Sequence, residues 1–262
     1  MVLEVTVDSI TSMLTAIKAG ADRIELCSAL NLGGLTPSYG LMKKASELKK
    51  SRELKDIEIF VMIRPRSGDF LYDEYEFETM KEDISVVKEM DIDGIVTGVL
   101  LSDGKIDIAR MRELVEVAKP LKVVFHRAFD DAKDPIEDVD KLIDMGVCRI
   151  LTSGQRANAL EGVEYIAELQ KRFGDRIDIM PGCGVNAGNI EQIYNITGCT
   201  HYHMSGKVNI GSGMEYREYI KRMNTPESEL IVERASYDLI KRARDVLDKL
   251  KKSSSSDFGN NK

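Results

Sequence analysis

Short apolar runs alternate along the chain with longer segments in which apolar residues recur at helical spacing, a pattern that predicts alternating strands and helices. The predicted strands are residues 3–7, 23–27, 58–64, 94–98, 123–126, 148–152, 177–180 and 201–205. The predicted helices between them are residues 9–18, 38–50, 74–90, 107–118, 134–145, 157–173 and 187–196.

Eight such units of about 25 to 30 residues each indicate an α/β fold, the closed (β/α)₈ TIM barrel. A doubly wound open sheet is the alternative. It would need fewer strands and usually has a Gly-x-Gly-x-x-Gly turn after the first strand. Here the first strand ends in Val7, Asp8 and Ser9, so that turn is missing.

The pattern changes after the eighth strand. Residues 206–226 are loop-like, and residues 228–252 predict a charged amphipathic helix. Its predicted apolar stripe consists of Val232, Ala235, Leu239, Ala243, Val246 and Leu250. We expect this helix to pack on its own barrel, so that residues 1–252 form a single domain. Residues 253–262 have nothing to bury and are expected to be a disordered polar tail.

Composition narrows the possible functions. A net charge of −7 argues against nucleic acid as the main partner, because phosphate binding needs a basic face. No apolar run approaches the roughly 18 residues needed to cross a bilayer, and the acidic N-terminus does not resemble a signal peptide. We therefore expect a cytoplasmic protein without a membrane partner. The four cysteines show no paired spacing and are expected to be free thiols.

Alternate strand residues should face the inside of the barrel, and many of them are polar. The residues singled out as catalytic candidates are Glu25, Arg64, His126 and His203. Glu25, or Glu4 on the first strand, could act as a general base with either histidine as acid. Arg64 could hold a carboxylate or another anion. The alternative is a polar layer with only a structural role.

Two further interpretations stay open. Gly182, Gly184 and Ser205 follow the seventh and eighth strands, where barrels often bind phosphate on backbone amides, although a tight turn would need the same glycines. Cys27 is a candidate Cu(I) ligand because soft sulfur donors suit that ion, and Met62 and Met180 share its inward parity. Ordinary core packing would also account for these sulfur atoms.

Six segments together resemble the CutC copper homeostasis proteins. They are residues 20–27 (GADRIELC), 33–38 (GGLTPS), 61–70 (VMIRPRSGDF), 125–130 (FHRAFD), 150–154 (ILTSG) and 179–185 (IMPGCGV). The resemblance extends from about residue 3 to residue 217. It implies a TIM barrel, a cytoplasmic homo-oligomer and a role in copper tolerance with Cu(I) binding.

The sequence departs from the family pattern at two positions. Members of the family often carry a second thiol on the first strand, where this chain has Thr6, and a glycine where it has Cys183. A hydroxyl is a poor Cu(I) ligand, so the two-thiolate site is in doubt. The function hypotheses are therefore a copper homeostasis protein that binds Cu(I), and a barrel enzyme acting on a small anionic carboxylate or phosphate metabolite.

Overall fold

The computed structural model describes residues 1–50, 54–213 and 231–257. Eight parallel strands form one sheet in the order β7-β6-β5-β4-β3-β2-β1-β8, and the two end strands contact each other to form a nearly closed barrel. The strands are β1 Val2–Val7, β2 Arg23–Leu26, β3 Glu58–Met62, β4 Gly94–Thr97, β5 Lys122–Phe125, β6 Val147–Thr152, β7 Asp178–Pro181 and β8 His201–Met204. The TIM-barrel prediction is confirmed.

The helices cover the outside of this barrel. They are α1 Ile10–Lys18, α2 Tyr39–Lys49, α3 Glu74–Lys88, α4 Ile108–Ala118, α5 Ala128–Asp131, α6 Val139–Met145, α7 Val163–Phe173, α8 Ile190–Thr197 and α9 Tyr237–Asp257. Ser9, Ser38, Asp73 and Asp107 each accept a hydrogen bond from a backbone N–H three residues later, which caps the helix that follows.

Among the helices between strands, α6 and α7 differ most from their predicted bounds. The segment predicted as one helix over 134–145 is a 3₁₀ turn, Pro135–Asp138, followed by α6. Helix α7 starts at Val163 rather than residue 157, because the chain turns back on itself before it. A β-carbon on Gly154 would lie 2.2 Å from the carbonyl oxygen of Gly162, so glycine allows the two backbone segments to meet.

The barrel interior confirms the predicted alternation. Leu3, Val5 and Val7 are buried against the helix layer, whereas the inner cluster consists of Cys27, Phe60, Met62, Val96 and Val124. Phe60 fills the middle of the barrel opposite Gly94, where a β-carbon would lie 2.3 Å from the Phe60 ring. A side chain at residue 94 would therefore displace the aromatic ring at the centre of this cluster.

The C-terminal prediction is wrong in part. Strand β9, Lys207–Gly211, pairs antiparallel with β10, Ile231–Ala235, and helix α9 begins only at Tyr237. Val232 and Ala235 therefore belong to a strand, because the β-branched start of this segment pairs with β9 instead of coiling. Within the described residues, α9 continues to Asp257. Residues 214–230 and 258–262 lie outside the described residues.

Helix α9 packs on its own barrel, as predicted. Ile240, Ala243 and Leu247 are fully buried, and the helix contacts α1, α8 and β1. Arg244 adds an ion pair, with its Nη1 atom 2.7 Å from Oδ2 of Asp22. Among the described residues, no helix is both long and apolar enough to cross a membrane.

Replacing Ile240 with alanine should lower the free energy of unfolding by about 2–5 kcal/mol, because it leaves a cavity under α9. Urea denaturation followed by circular dichroism measures this change. Lys249→Ala on the exposed side of the same helix is the matched control and should change stability by less than about 0.5 kcal/mol. Equal, small effects of both substitutions would show that the barrel does not depend on α9.

Candidate functional site

A cavity of about 880 Å³ opens at the carboxyl ends of the strands. Its lining includes all four predicted catalytic candidates, Glu25, Arg64, His126 and His203. They meet there because the carboxyl ends of parallel barrel strands share one face of the fold. Each of these four residues is buried, and His203 is the most exposed of them at 9%.

Below the cavity, a buried ion-pair network centres on Glu4. Its Oε1 atom lies 2.7 Å from Nδ1 of His203, and its Oε2 atom lies 3.3 Å from Nη1 of Arg23. Burial alone would raise the pKa of Glu4, but the His203 hydrogen bond and the Arg23 charge outweigh it and lower that pKa to about 2. Glu4 is therefore a carboxylate and unsuited to general acid chemistry.

The pKa of His203 is shifted in the opposite direction. Burial disfavours the imidazolium, but the charge of Glu25 and the hydrogen bond to Glu4 outweigh it and raise the pKa of His203 above 6.5. Nε2 of His203 lies 3.9 Å from Oε2 of Glu25. His203, and not His126, is thus the histidine beside the predicted base.

A second ion pair, between buried Arg149 and partly exposed Asp178, completes the floor of the barrel. Nη2 of Arg149 lies 3.1 Å from Oδ2 of Asp178, and the Arg149 Nε–H donates to Nδ1 of His201. The guanidinium carbons of Arg23 and Arg149 lie 5.5 and 5.4 Å from the Phe60 ring centroid. The sequence left open whether the inward polar residues form a structural layer or line a site. The structure contains both, a structural polar layer and, above it, a polar cavity.

Glu25 connects the network to the cavity. Its Oε2 atom accepts the Cys27 thiol at 3.5 Å, while its Oε1 atom is buried without a hydrogen-bond partner. Burial is the main cause that raises the pKa of Glu25. Glu4, Glu25 and His203 each offer one ligand atom within 4.8 Å of the others, an arrangement that could hold a metal ion.

His126 is held as a neutral ring. Its Nδ1 atom accepts the Ala128 N–H at 3.1 Å, so its proton resides on Nε2. Burial and the nearby Arg64 charge lower the pKa of His126 to about 3. A β-carbon on Gly98 would lie 2.7 Å from Nδ1, so that glycine makes room for the ring.

Most of the Arg64 guanidinium is occupied by backbone. Its Nη1 donates to the carbonyls of Leu32 and Gly34 at 3.0 and 3.2 Å, and its Nη2 donates to that of Gly68 at 2.7 Å. Only Nε is buried without a partner. Arg64 therefore ties the loops after β2 and β3 together, and three of its five N–H donors are committed to loop carbonyls.

The predicted phosphate-binding residues are only partly at the cavity. Gly184 and Ser205 line it, but the Gly182 amide donates to the Thr152 carbonyl at 2.9 Å. Cys183 also lines the cavity, in left-handed backbone conformation with a φ of 68°. Its thiol donates to the Ala157 carbonyl at 3.1 Å.

The soft donors lie deeper. The Cys27 Sγ atom is 3.4 Å from the Thr6 hydroxyl and shares the inner cluster with Met62. Burial, followed by the charge of Glu25, raises the pKa of Cys27 well above 9 and keeps the thiol protonated. Met180 is buried but lies outside this cluster.

Sequence reasoning missed two parts of the site. Arg242 reaches the cavity from α9, because the β9–β10 hairpin directs that helix across the barrel. Asp130 organises the loop after β6 by accepting from the Ser153 amide and hydroxyl and from the Thr152 hydroxyl. Asp130 and its partners lie in the segments 125–130 and 150–154, so the resemblance to the CutC family is the sequence signal for Asp130.

These features define a TIM-barrel protein with a polar cavity at the carboxyl mouth and buried ion pairs beneath it. Thiamine phosphate pyrophosphorylase of Pyrococcus furiosus has the same fold, with a TM-score of 0.57 at 15% identity over 95% of this chain and 96% of that one. Identity this low extends the likeness to the fold alone.

The chain belongs to the CutC family, whose family model matches residues 1–208. A CutC family protein of Parabacteroides distasonis is 47% identical over 82% of this chain and 87% of its own length. The copper homeostasis protein cutC homolog of Dictyostelium discoideum is 45% identical over 82% of this chain and 85% of its own. A solved CutC structure from Streptococcus agalactiae has a TM-score of 0.73 at 36% identity, covering 78% of this chain and 97% of that one. These matches favour the copper-homeostasis hypothesis over the enzyme alternative.

Glu4→Gln should destabilise the fold by about 3–5 kcal/mol, because it leaves Arg23 and His203 buried without their shared carboxylate. The His203 contribution is complete below pH 6.5 and is lost as the pH rises through the raised pKa. The Glu4 contribution is present above pH 4.5 and is lost as the pH falls towards its pKa of about 2. The difference between wild type and variant should thus be largest between pH 4.5 and 6.5.

Urea denaturation at several pH values measures this difference. Glu168→Gln is the control, since Glu168 is an exposed carboxylate paired with Arg172 at 3.2 Å, and it should cost less than about 1 kcal/mol. A Glu4→Gln cost that stays constant from acid to alkaline pH would show that His203 carries no charge in the folded protein.

Proposed function

We propose that this protein takes part in copper homeostasis by holding Cu(I) weakly inside the barrel at Cys27. The family supports the copper role, since the relative from Dictyostelium discoideum is named a copper homeostasis protein. Copper is here the cargo of the protein rather than a resident cofactor. A cytoplasmic homo-oligomer is the setting in which we place this role.

The juxtaposition of two soft donors carries the proposal. The Cys27 thiol and the Met62 thioether face the same space beside Gly34, where a β-carbon would lie 3.2 Å from Cys27 Sγ and 3.6 Å from the Met62 methyl. Thiolate and thioether sulfur suit Cu(I) better than oxygen or nitrogen donors do. Gly34 leaves room next to both.

Two features keep the expected affinity low. Thr6 occupies the position nearest to the Cys27 sulfur and offers a hydroxyl, which is a hard ligand. Cys27 is also a buried thiol whose pKa is raised, and a metal ligand must be deprotonated, so Cu(I) has to displace its proton. Both effects favour weak binding that is released readily, as transfer of copper between partners would require.

Titration of Cu(I) against a competing chelator under anaerobic conditions tests this proposal. Cys27→Ser should abolish the ability of the protein to compete with the chelator for one equivalent of Cu(I). Met62→Leu, which keeps the side-chain volume but removes the sulfur, should weaken Cu(I) binding about tenfold. Cys199→Ser is the matched control, because Cys199 lies in the outer core. Unchanged affinity in Cys27→Ser, or loss in Cys183→Ser instead, would contradict the assignment.

Thr6→Cys should strengthen Cu(I) binding, because it places a second thiol about 3.4 Å from Cys27 Sγ. The same chelator competition measures the gain, with Thr6→Val as a control that removes the hydroxyl without adding sulfur.

In cells lacking the protein, wild type should restore copper tolerance and Cys27→Ser should not. Full restoration by Cys27→Ser would separate copper tolerance from this thiol.

A further inference from the structure

The cavity contains unpaired polar atoms that neither the ion-pair network nor the proposed Cu(I) ligands use. Glu25 Oε1, Arg64 Nε and His126 Nε2 are buried without a hydrogen-bond partner, and all three residues line the cavity. They are 3%, 6% and 3% exposed. An unpaired buried polar atom costs about 1–3 kcal/mol, so three in one cavity indicate that a bound molecule supplies their partners.

The two nitrogen atoms are donors of fixed identity. His126 Nδ1 accepts from the Ala128 amide, which leaves the ring proton on Nε2, and an arginine nitrogen can only donate. The Phe70 ring centroid lies 4.8 Å from both the His126 ring centroid and the Arg64 guanidinium carbon. Both donors therefore contact the same aromatic ring. Because each is an N–H group, they suit an oxygen atom of an anion.

Glu25 Oε1 adds a different requirement. As a carboxylate oxygen it accepts hydrogen bonds, so the same molecule must carry a donor such as a hydroxyl. Leu30, Leu32 and Leu151 line other parts of the wall, where they can contact the carbon atoms of a ligand. The cavity volume of about 880 Å³ falls in the range typical of sites for organic ligands.

The charge around the opening favours an anion. Arg127, Lys207 and Arg242 line the cavity. Arg127 is paired with Asp130 at 2.8 Å and Lys207 with Glu233 at 2.7 Å, whereas Arg242 forms no ion pair within the described residues and donates from Nε to the Asp238 carbonyl. Arg242 is therefore the positive charge at the opening that a ligand anion can meet. Clefts lined by one sign of charge concentrate ligands of the opposite sign.

We infer that the barrel mouth binds a small hydroxylated organic anion. Its anionic oxygen accepts hydrogen bonds from His126 Nε2 and Arg64 Nε, and its hydroxyl donates to Glu25 Oε1. The anionic group is a carboxylate or a phosphate, because either presents the oxygen that these donors need. The site uses other atoms than the sulfur atoms of Cys27 and Met62, although Met62 also lines the cavity, and it does not depend on copper.

Isothermal titration calorimetry with four probes tests the inference. Gluconate and ribose 5-phosphate carry both features, whereas hexanoate lacks hydroxyls and ribitol lacks charge. We expect gluconate or ribose 5-phosphate to bind saturably, at least about tenfold tighter than either control, and the preferred one identifies the anionic group. Failure of both probes to bind below about 1 mM would overturn the inference.

Three variants locate the binding. His126→Phe should weaken it about tenfold, and His126→Gln, which retains an N–H donor, should recover most of that loss. Tyr202→Phe is the control, since it removes a buried hydroxyl that donates to the Cys199 carbonyl and is not part of the cavity lining. Thermal unfolding of each variant verifies folding. Unchanged affinity in folded His126→Phe, or equal loss in Tyr202→Phe, would contradict the inference.

The outcome is distinguishable from that of the copper proposal. His126→Phe should lose the organic anion while retaining wild-type Cu(I) affinity, and Met62→Leu should do the reverse. Loss of both ligands in folded His126→Phe would contradict the separation of the two sites.

Discussion

The balance of charge inside the barrel is the constraint on which the rest of this structure depends. Glu4, Arg23 and His203 are buried between strands β1, β2 and β8, where an unpaired charge would cost several kcal/mol. Their mutual pairing offsets that cost and links the first strand to the last, which are neighbours in the sheet. Because these charges are committed to one another, they form the base of the site rather than its reacting groups.

What remains above that base is a cavity with two kinds of chemistry. The sulfur atoms of Cys27 and Met62 form part of the inner cluster, and Met62 also lines the cavity beside Glu25, Arg64 and His126, which carry the unpaired polar atoms. Glu25 is the point of contact between the two kinds of chemistry, since it accepts the Cys27 thiol on one oxygen and leaves the other free.

The CutC family accounts for the copper role but leaves the polar lining without an assigned purpose. A hard, hydrogen-bonding cavity contributes little to a Cu(I) site, because that ion prefers sulfur. Arg64 has no role in a Cu(I) site either, since its terminal nitrogens donate hydrogen bonds to three backbone carbonyls of the loops after β2 and β3. The loops are thus held open around a space larger than a single metal ion needs.

The sequence by itself determined the barrel, the inward parity of its strands and the convergence of Glu25, Arg64, His126 and His203. These follow from periodicity, which is local: period-two alternation sets which face a strand residue occupies, and parallel strands end on one side. Family motifs added the copper role and drew attention to Thr6 beside Cys27.

Only the tertiary structure decided how these groups are paired. His203 rather than His126 lies beside Glu25. The Arg64 guanidinium is largely bound by loop carbonyls about 30 residues away in the chain. Residues 231–235 form a strand rather than a helix. Hydrogen-bond partners and strand pairing depend on which distant segments meet. A segment whose apolar residues have helical spacing forms a strand when the edge of another strand is available for pairing. Local pattern contains no information about that partner.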